Sequence, residues 1–187
     1  AAYPAADGRL FHVGLLHTSL DGRPGHAPYA PTSSQLLAQK GYHYWALGHV
    51  HKREVVSQDP WIVFPGNLQG RHARETGPKG CTLVTVENGA VKHVEERPVD
   101  VLRWAVSRIN AEGDSSTGEV LDRMAHAIAS EADRSDGRPL AIRVEVFGPV
   151  ACHDEIASDP DRWTQEVRAL AASVGSADVW IEKVRFA

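Results

Sequence analysis

Gly48-His49-Val50-His51 places two histidines one residue apart, directly after the largely apolar run 42–47. In an extended chain, side chains two apart point to the same side, so two imidazoles at this spacing can face one metal ion or a bridged pair. Gly48 allows the backbone to turn tightly beside them. His17 closes a second apolar run, Phe11-His12-Val13-Gly14-Leu15-Leu16. Three histidines at the ends of two strands would supply half of a metal site. The alternative is a set of loop histidines facing water. His12 and His43 read as packing or edge residues, and His72, between Arg71 and Arg74, as solvent-facing.

A second group is basic. Arg71, His72, Arg74 and Lys79 fall within nine residues, interleaved with glycines. Guanidinium forks and glycine amides suit phosphate oxygens. An ordinary solvated loop explains the same composition equally well. Lys52 and Arg53, just after the histidine pair, are weaker candidates of the same kind. The stretch Thr18–Pro31 holds Gly22, Pro24, Gly25, Pro28 and Pro31, so it reads as a loop, either a rim beside His17 or a plain connection. Within it Asp21 and His26 are candidate polar contacts. Tyr29 and Trp45 read as core or edge packing.

These residues need elements to hold them. Leu10–Leu16 reads as a buried strand. Thr32-Ser33-Ser34-Gln35 has the capping-box pattern and predicts a helix to about Lys40, stopped by Gly41. Tyr44–Leu47 is the next strand. Both histidine groups then lie at the carboxyl ends of strands, where ligand sites of open α/β sheets gather. After His51 the pattern is β only. Glu54–Ser57 and Trp61–Phe64 flank a turn, and Cys81–Glu87 and Val91–Glu96 flank Asn88-Gly89, a strong hairpin signal. Val101–Ile109 predicts a strand. Val120, Leu121, Met124 and Ile128 predict one helical face, and Trp163, Val167, Leu170 and Val174 another. Between and after them, Leu140–Val146 and Val179–Phe186 read as strands. The last part is therefore expected to be a β-α-β-α-β unit with two helices on one sheet.

The chain of 187 residues is long enough for one or two domains with their own cores. No apolar stretch is long enough to span a membrane, and the first residues lack the basic-then-apolar order of a signal peptide. Cys81 and Cys152 are far apart and read as reduced thiols, which leads to an expectation of a cytoplasmic protein. A net charge of −4 argues against a generic nucleic-acid coat. Residues 1–104 carry 11 basic and 9 acidic side chains, whereas residues 105–187 carry 9 and 15. Two units with different jobs, 1–104 and 105–187, are expected. The acidic second unit makes a poor nucleic-acid groove by itself and suits a cap or a docking surface.

His17, then Gly41–His51, then Phe64-Pro65-Gly66-Asn67 occur in an order that resembles the second half of the calcineurin-like metallophosphoesterases. More narrowly, the pattern is similar to SbcD-like and YhaO-like DNA repair exonucleases, and Pro65–Cys81 resembles the YhaO-like branch. The likeness covers residues 9–104. It implies an α+β fold, with residues 1–104 as the second half of a metallophosphoesterase β-sandwich with a flanking helix and residues 105–187 as a small capping domain. It implies phosphodiester hydrolysis at a two-metal site, usually with manganese, His17 and His49 on one ion and His51 on the other. It also implies DNA as substrate, with Arg71, Arg74, Lys79 and Asn67 as contacts, a coiled-coil ATPase partner, and homodimers. The family's first-half motifs, Asp-x-His, a bridging Asp and Asn-His-Asp, do not occur in the expected place. The chain is accordingly expected to be the carboxyl-terminal part of a longer protein and inactive alone. Two rival readings stay open. One is a phosphoesterase for small phosphodiesters or nucleotides. The other is a non-catalytic interaction module whose acidic cap recruits a partner.

Overall fold

The computed structural model describes residues 3–22, 29–173 and 178–186. His26 and Val174 lie outside the described residues. The chain divides into two compact units, Ala1–Leu68 with Lys79–Val99, and Gln69–Pro78 with Asp100–Ala187.

The first unit contains β1 (Val13–His17), α1 (Ser34–Ala38), β2 (Tyr44–Gly48), β3 (Glu54–Gln58), β4 (Trp61–Phe64), β5 (Gly80–Glu87) and β6 (Ala90–Pro98). Its four-stranded sheet has the order β1-β2-β4-β3, with β1, β2 and β4 parallel and β3 antiparallel to β4. Strand β2 sits inside this sheet and buries Tyr44, Trp45 and Leu47. Trp45, Leu47, Ile62, Phe64, Leu20 and Leu37 form the core. Gly14 lies opposite Trp45 in register, and a Cβ there would fall 2.2 Å from the indole ring. The small residue is thus what lets the largest core side chain lie flat across β1.

The expectation of a buried strand over Leu10–Leu16 is corrected. The strand starts at Val13 and is an edge strand, so Val13 and Leu15 are exposed while Gly14 is buried. Helix α1 is short and is capped one residue later than expected. The Ser33 side chain accepts from the Leu36 amide at 3.2 Å, and Gly41 follows with φ +73°. Strands β5 and β6 pair antiparallel through Asn88 (φ +51°) and Gly89 (φ +75°), the two left-handed positions of the expected Asn-Gly turn.

The second unit contains β7 (Arg103–Asn110), α2 (Thr117–Asp133), β8 (Leu140–Phe147), α3 (His153–Ser158), α4 (Pro160–Ser173) and β9 (Val179–Phe186). The three strands are parallel in the order β7-β8-β9. Val120, Met124 and Ile128 of α2 and Trp163, Val167 and Ala171 of α4 pack on Leu140, Ile142, Val144 and Val146 of β8. Ala171, not Leu170, continues the α4 stripe. The short α3 has no side-chain cap and was not expected. Across both units the fold is α+β.

Segment 69–78 is tied to the second unit. Gln69 Oε1 accepts from the Val101 amide at 2.9 Å, Trp104 Nε1 donates to the Gly70 carbonyl at 2.9 Å, and the Gly77 amide donates to the Trp104 carbonyl at 2.9 Å. Among the described residues, no helix is long and apolar enough to cross a membrane.

Acid sensitivity should concentrate in this unit. Arg123 forks onto Asp114 at 2.6 and 3.0 Å, and that hydrogen bonding holds the Asp114 carboxyl below its ordinary value. Hydrogen bonds from Arg103 and Arg143 do the same for Asp136 and Glu182. A carboxyl with a depressed folded pKa stabilises the fold fully above its unfolded value, about 4, and that contribution is lost as pH falls further. Urea midpoints followed by circular dichroism should therefore drop from neutral pH to below the carboxylate range. Asp114→Asn should lower the neutral midpoint and shrink the acid loss. An acid loss of unchanged size in the variant would count against this origin.

Candidate metal centre

Parallel pairing brings His17 and Gly48 side by side as Cα partners, and Thr18 continues the ladder by donating its amide to the Gly48 carbonyl at 3.2 Å. The chain then leaves β2 at His49. His17 Nε2 and His49 Nδ1 stand 3.3 Å apart, with ring centroids at 5.2 Å and planes at 78°. Gly48 makes room for this, because a Cβ there would sit 2.8 Å from His17 Nδ1. His49 itself has φ +99°, a backbone conformation that favours glycine. Strain of this kind costs on the order of 1–3 kcal/mol and gathers where a side chain is needed in one place.

Tyr29 completes the local wall. Its ring stacks on His49 at 5.9 Å and 18° and meets His17 edge-on at 5.2 Å. It was expected to be core or edge packing. The structure instead leaves it exposed beside both histidines. Nothing in the surrounding loop sequence marks it for that position. Trp45 is core, as expected.

His49 and His51 do not share one side of an extended strand as their spacing predicts, because β2 ends at Gly48 and His49 is not extended. His51 is exposed, and its carbonyl accepts from the Asn67 amide at 3.1 Å. Gly66, at φ +79°, lets the Pro65-Gly66-Asn67 turn press on this backbone, since a Cβ there would lie 2.9 Å from the His51 carbonyl oxygen. The turn thus braces the chain just after the histidine pair. Among the described residues, no group of three or more His, Cys, Asp or Glu side chains is arranged to hold a metal ion.

The candidates for substrate contact divide between the units. Asn67 and Lys79 belong to the first, Arg71 and Arg74 to the second. Arg71 is bound to the buried Glu75 by its guanidinium at 3.2 Å and its backbone amide at 2.9 Å, and His72 Nε2 lies 3.8 Å from the same carboxylate. Glu75 is therefore the organiser of this segment, a role its place among basic residues had concealed. Arg74 is exposed.

Residues 104–187 match the family described as metallophosphoesterase YhaO, middle domain. The chain is also similar to a curated protein, the uncharacterized metallophosphoesterase YhaO of Bacillus subtilis strain 168, with 38% identity over 149 residues. That alignment takes in 79% of this chain, which spans 36% of the relative's length. Both similarities are to proteins described as metallophosphoesterases, a description that implies a metal ion in those proteins.

The two histidines fit part of such an ion's shell. His17 Nε2 and His49 Nδ1, within hydrogen-bond distance of each other at 3.3 Å, are the two nitrogens that would contribute to holding it, and imidazole suits divalent transition metals. The described residues do not complete the shell.

Proposed function

We propose that this chain is part of a metal-dependent phosphodiesterase acting on DNA, a DNA repair exonuclease in which two manganese ions occupy the complete site. The observation that carries the reading is the pair of imidazole nitrogens 3.3 Å apart at the carboxyl ends of adjacent parallel strands, over a glycine that leaves them space. His17 and His49 would hold one ion, and His51 is the candidate for the second. Bound divalent ions at such a site activate water and neutralise charge on the phosphate. The chain's own work is positional: Gly48 admits the His17 ring, the Pro65-Gly66-Asn67 turn braces the His51 backbone, and Tyr29 walls the pair. Arg71, Arg74, Lys79 and Asn67 are the proposed contacts to the DNA backbone.

Two neutral imidazoles without carboxylates make a weak site, so the 187-residue chain by itself should show no turnover. Manganese titrated into it by calorimetry should bind weakly, and His49→Ala should abolish that binding. In the longer protein the same substitution should remove metal-dependent phosphodiesterase turnover. Tight binding that survives both His17→Ala and His49→Ala would sink the assignment.

A further inference from the structure

The sheet of the second unit has one face covered by α2 and α4 and another that carries a different chemistry. Three rungs cross that outward face. Trp104, Ala141 and Trp180 are Cα partners on neighbouring strands, followed by Val106, Arg143 and Lys183, then Arg108, Glu145 and Arg185. Ala141 is small enough for the two indoles to lean over it and meet at 6.1 Å, edge to face. Trp180 is 57% exposed, and Phe147, at the far end of β8, is 44% exposed.

Charge is sorted on this unit. Of the fifteen carboxylates in residues 105–187, thirteen lie on helices and connections, and only Glu145 and Glu182 lie on strands. The strands carry Arg108, Arg143, Lys183 and Arg185. Arg143 forks onto Glu182 at 2.8 and 2.9 Å, while Arg108 and Arg185 share Glu145 at 3.2 and 3.3 Å. The face is thus net positive on a unit that is net negative, and its three arginines are held in ion pairs. Segment 69–78, bonded to Trp104 through Gly70, adds the exposed Arg74 to the same unit.

We infer that this outward face of β7, β8 and β9 is a platform for single-stranded DNA, with bases stacking on Trp180 and Phe147 and phosphates meeting Lys183 and the arginines. The polymer is taken from the phosphodiesterase reading above; the binding itself needs no metal. An open sheet face bearing aromatic rings among cations is the geometry that unstacked bases use, because every base offers a π-face. A duplex keeps its bases stacked inward and could use only the cations. The acidic balance that argued against nucleic acid is a whole-unit sum, and it hides the segregation by face.

The test is fluorescence anisotropy with a labelled oligothymidylate of about 15 nucleotides, in EDTA at low salt. Trp180→Ala should weaken binding about 10-fold, and Trp180→Phe should recover most of the loss. Lys183→Glu should weaken binding and flatten its salt dependence. Both side chains are exposed, so the variants should fold, and an unchanged circular dichroism melt would establish it. Absence of binding, binding indifferent to Trp180→Ala, or equal competition by a duplex of the same length would overturn the platform. So would a Trp180-dependent dimer in sedimentation, which would make the face a contact between copies. Because EDTA removes metal, failure of the metal-site reading would leave this result standing, and failure here would leave the metal site untouched.

Discussion

Arg103→Ala should destabilise the second unit by about 3 kcal/mol, the lower end of the cost of breaking a buried pair, because it takes the more deeply buried of two cations from a buried carboxylate. The side chains of Arg103 and Asp100 are 6% and 0% exposed. Arg103 Nε donates to Asp100 Oδ2 at 3.2 Å, and Nη1 donates to Asp136 at 2.8 Å and to the Arg134 carbonyl at 2.9 Å. One guanidinium thus fastens the start of β7 to the end of α2 and the turn after it. Burial pushes the Arg103 pKa down, but the hydrogen bonds it donates to the Asp100 and Asp136 carboxylates more than reverse this, so the group stays charged. Without it, Arg138 remains beside Asp100, 3.3 Å away. Losing one member of a buried pair costs more than losing both, since no charge is then left behind. The double variant Arg103→Met with Asp100→Leu should therefore be less destabilised than Arg103→Ala. Urea unfolding of the three proteins, followed by circular dichroism, checks the order. A double variant worse than the single would show that the network contributes more than charge compensation.

Much of this architecture is legible residue by residue. Asn88-Gly89 needs two left-handed positions, and few residue pairs supply them so cheaply, so the hairpin is explicit in the chain. The stripe Val120, Met124, Ile128 and the alternation Leu140, Ile142, Val144, Val146 each carry one period over many residues. What was not legible depends on neighbours. Val13 and Leu15 are apolar, but an edge strand leaves them exposed all the same. Helix α3 is six residues long and lacks a side-chain cap, so neither period nor punctuation announces it. In the candidate site, the types and spacing of His17, His49 and Gly48 pointed to one place. The role of Tyr29 did not appear, because its contact with both rings spans a loop. The extended geometry assumed for His49 and His51 also failed at a single dihedral angle that no residue type predicts. Charge sorting on the outward face of β7, β8 and β9 is visible only after registers are known.

The dihedral angle of His49 separates what the backbone prefers from what the site requires. At φ +99° glycine is the favoured residue, so His49→Gly should be more stable than His49→Ala by about 1 kcal/mol. On the metal-site proposal, both should lose metal binding in the longer protein. If the glycine variant is at least as stable as the parent, histidine at this position is held against backbone preference, which points to chemistry rather than packing. If instead both variants lose stability equally, the imidazole is holding the fold together, and the strain carries no functional message. Gly48→Ala gives the complementary test, because it leaves both imidazoles in the chain. Its Cβ would stand 2.8 Å from His17 Nδ1, so the His17 ring must shift from its present place. Displacing a positioned ligand in this way should weaken metal affinity about 10–100-fold. The loss should appear in metal affinity at saturating substrate and be partly recovered by raising manganese, whereas His17→Ala should not be recovered. A Gly48→Ala protein with unaltered metal affinity would mean that the 3.3 Å approach of the two histidines is incidental to the site.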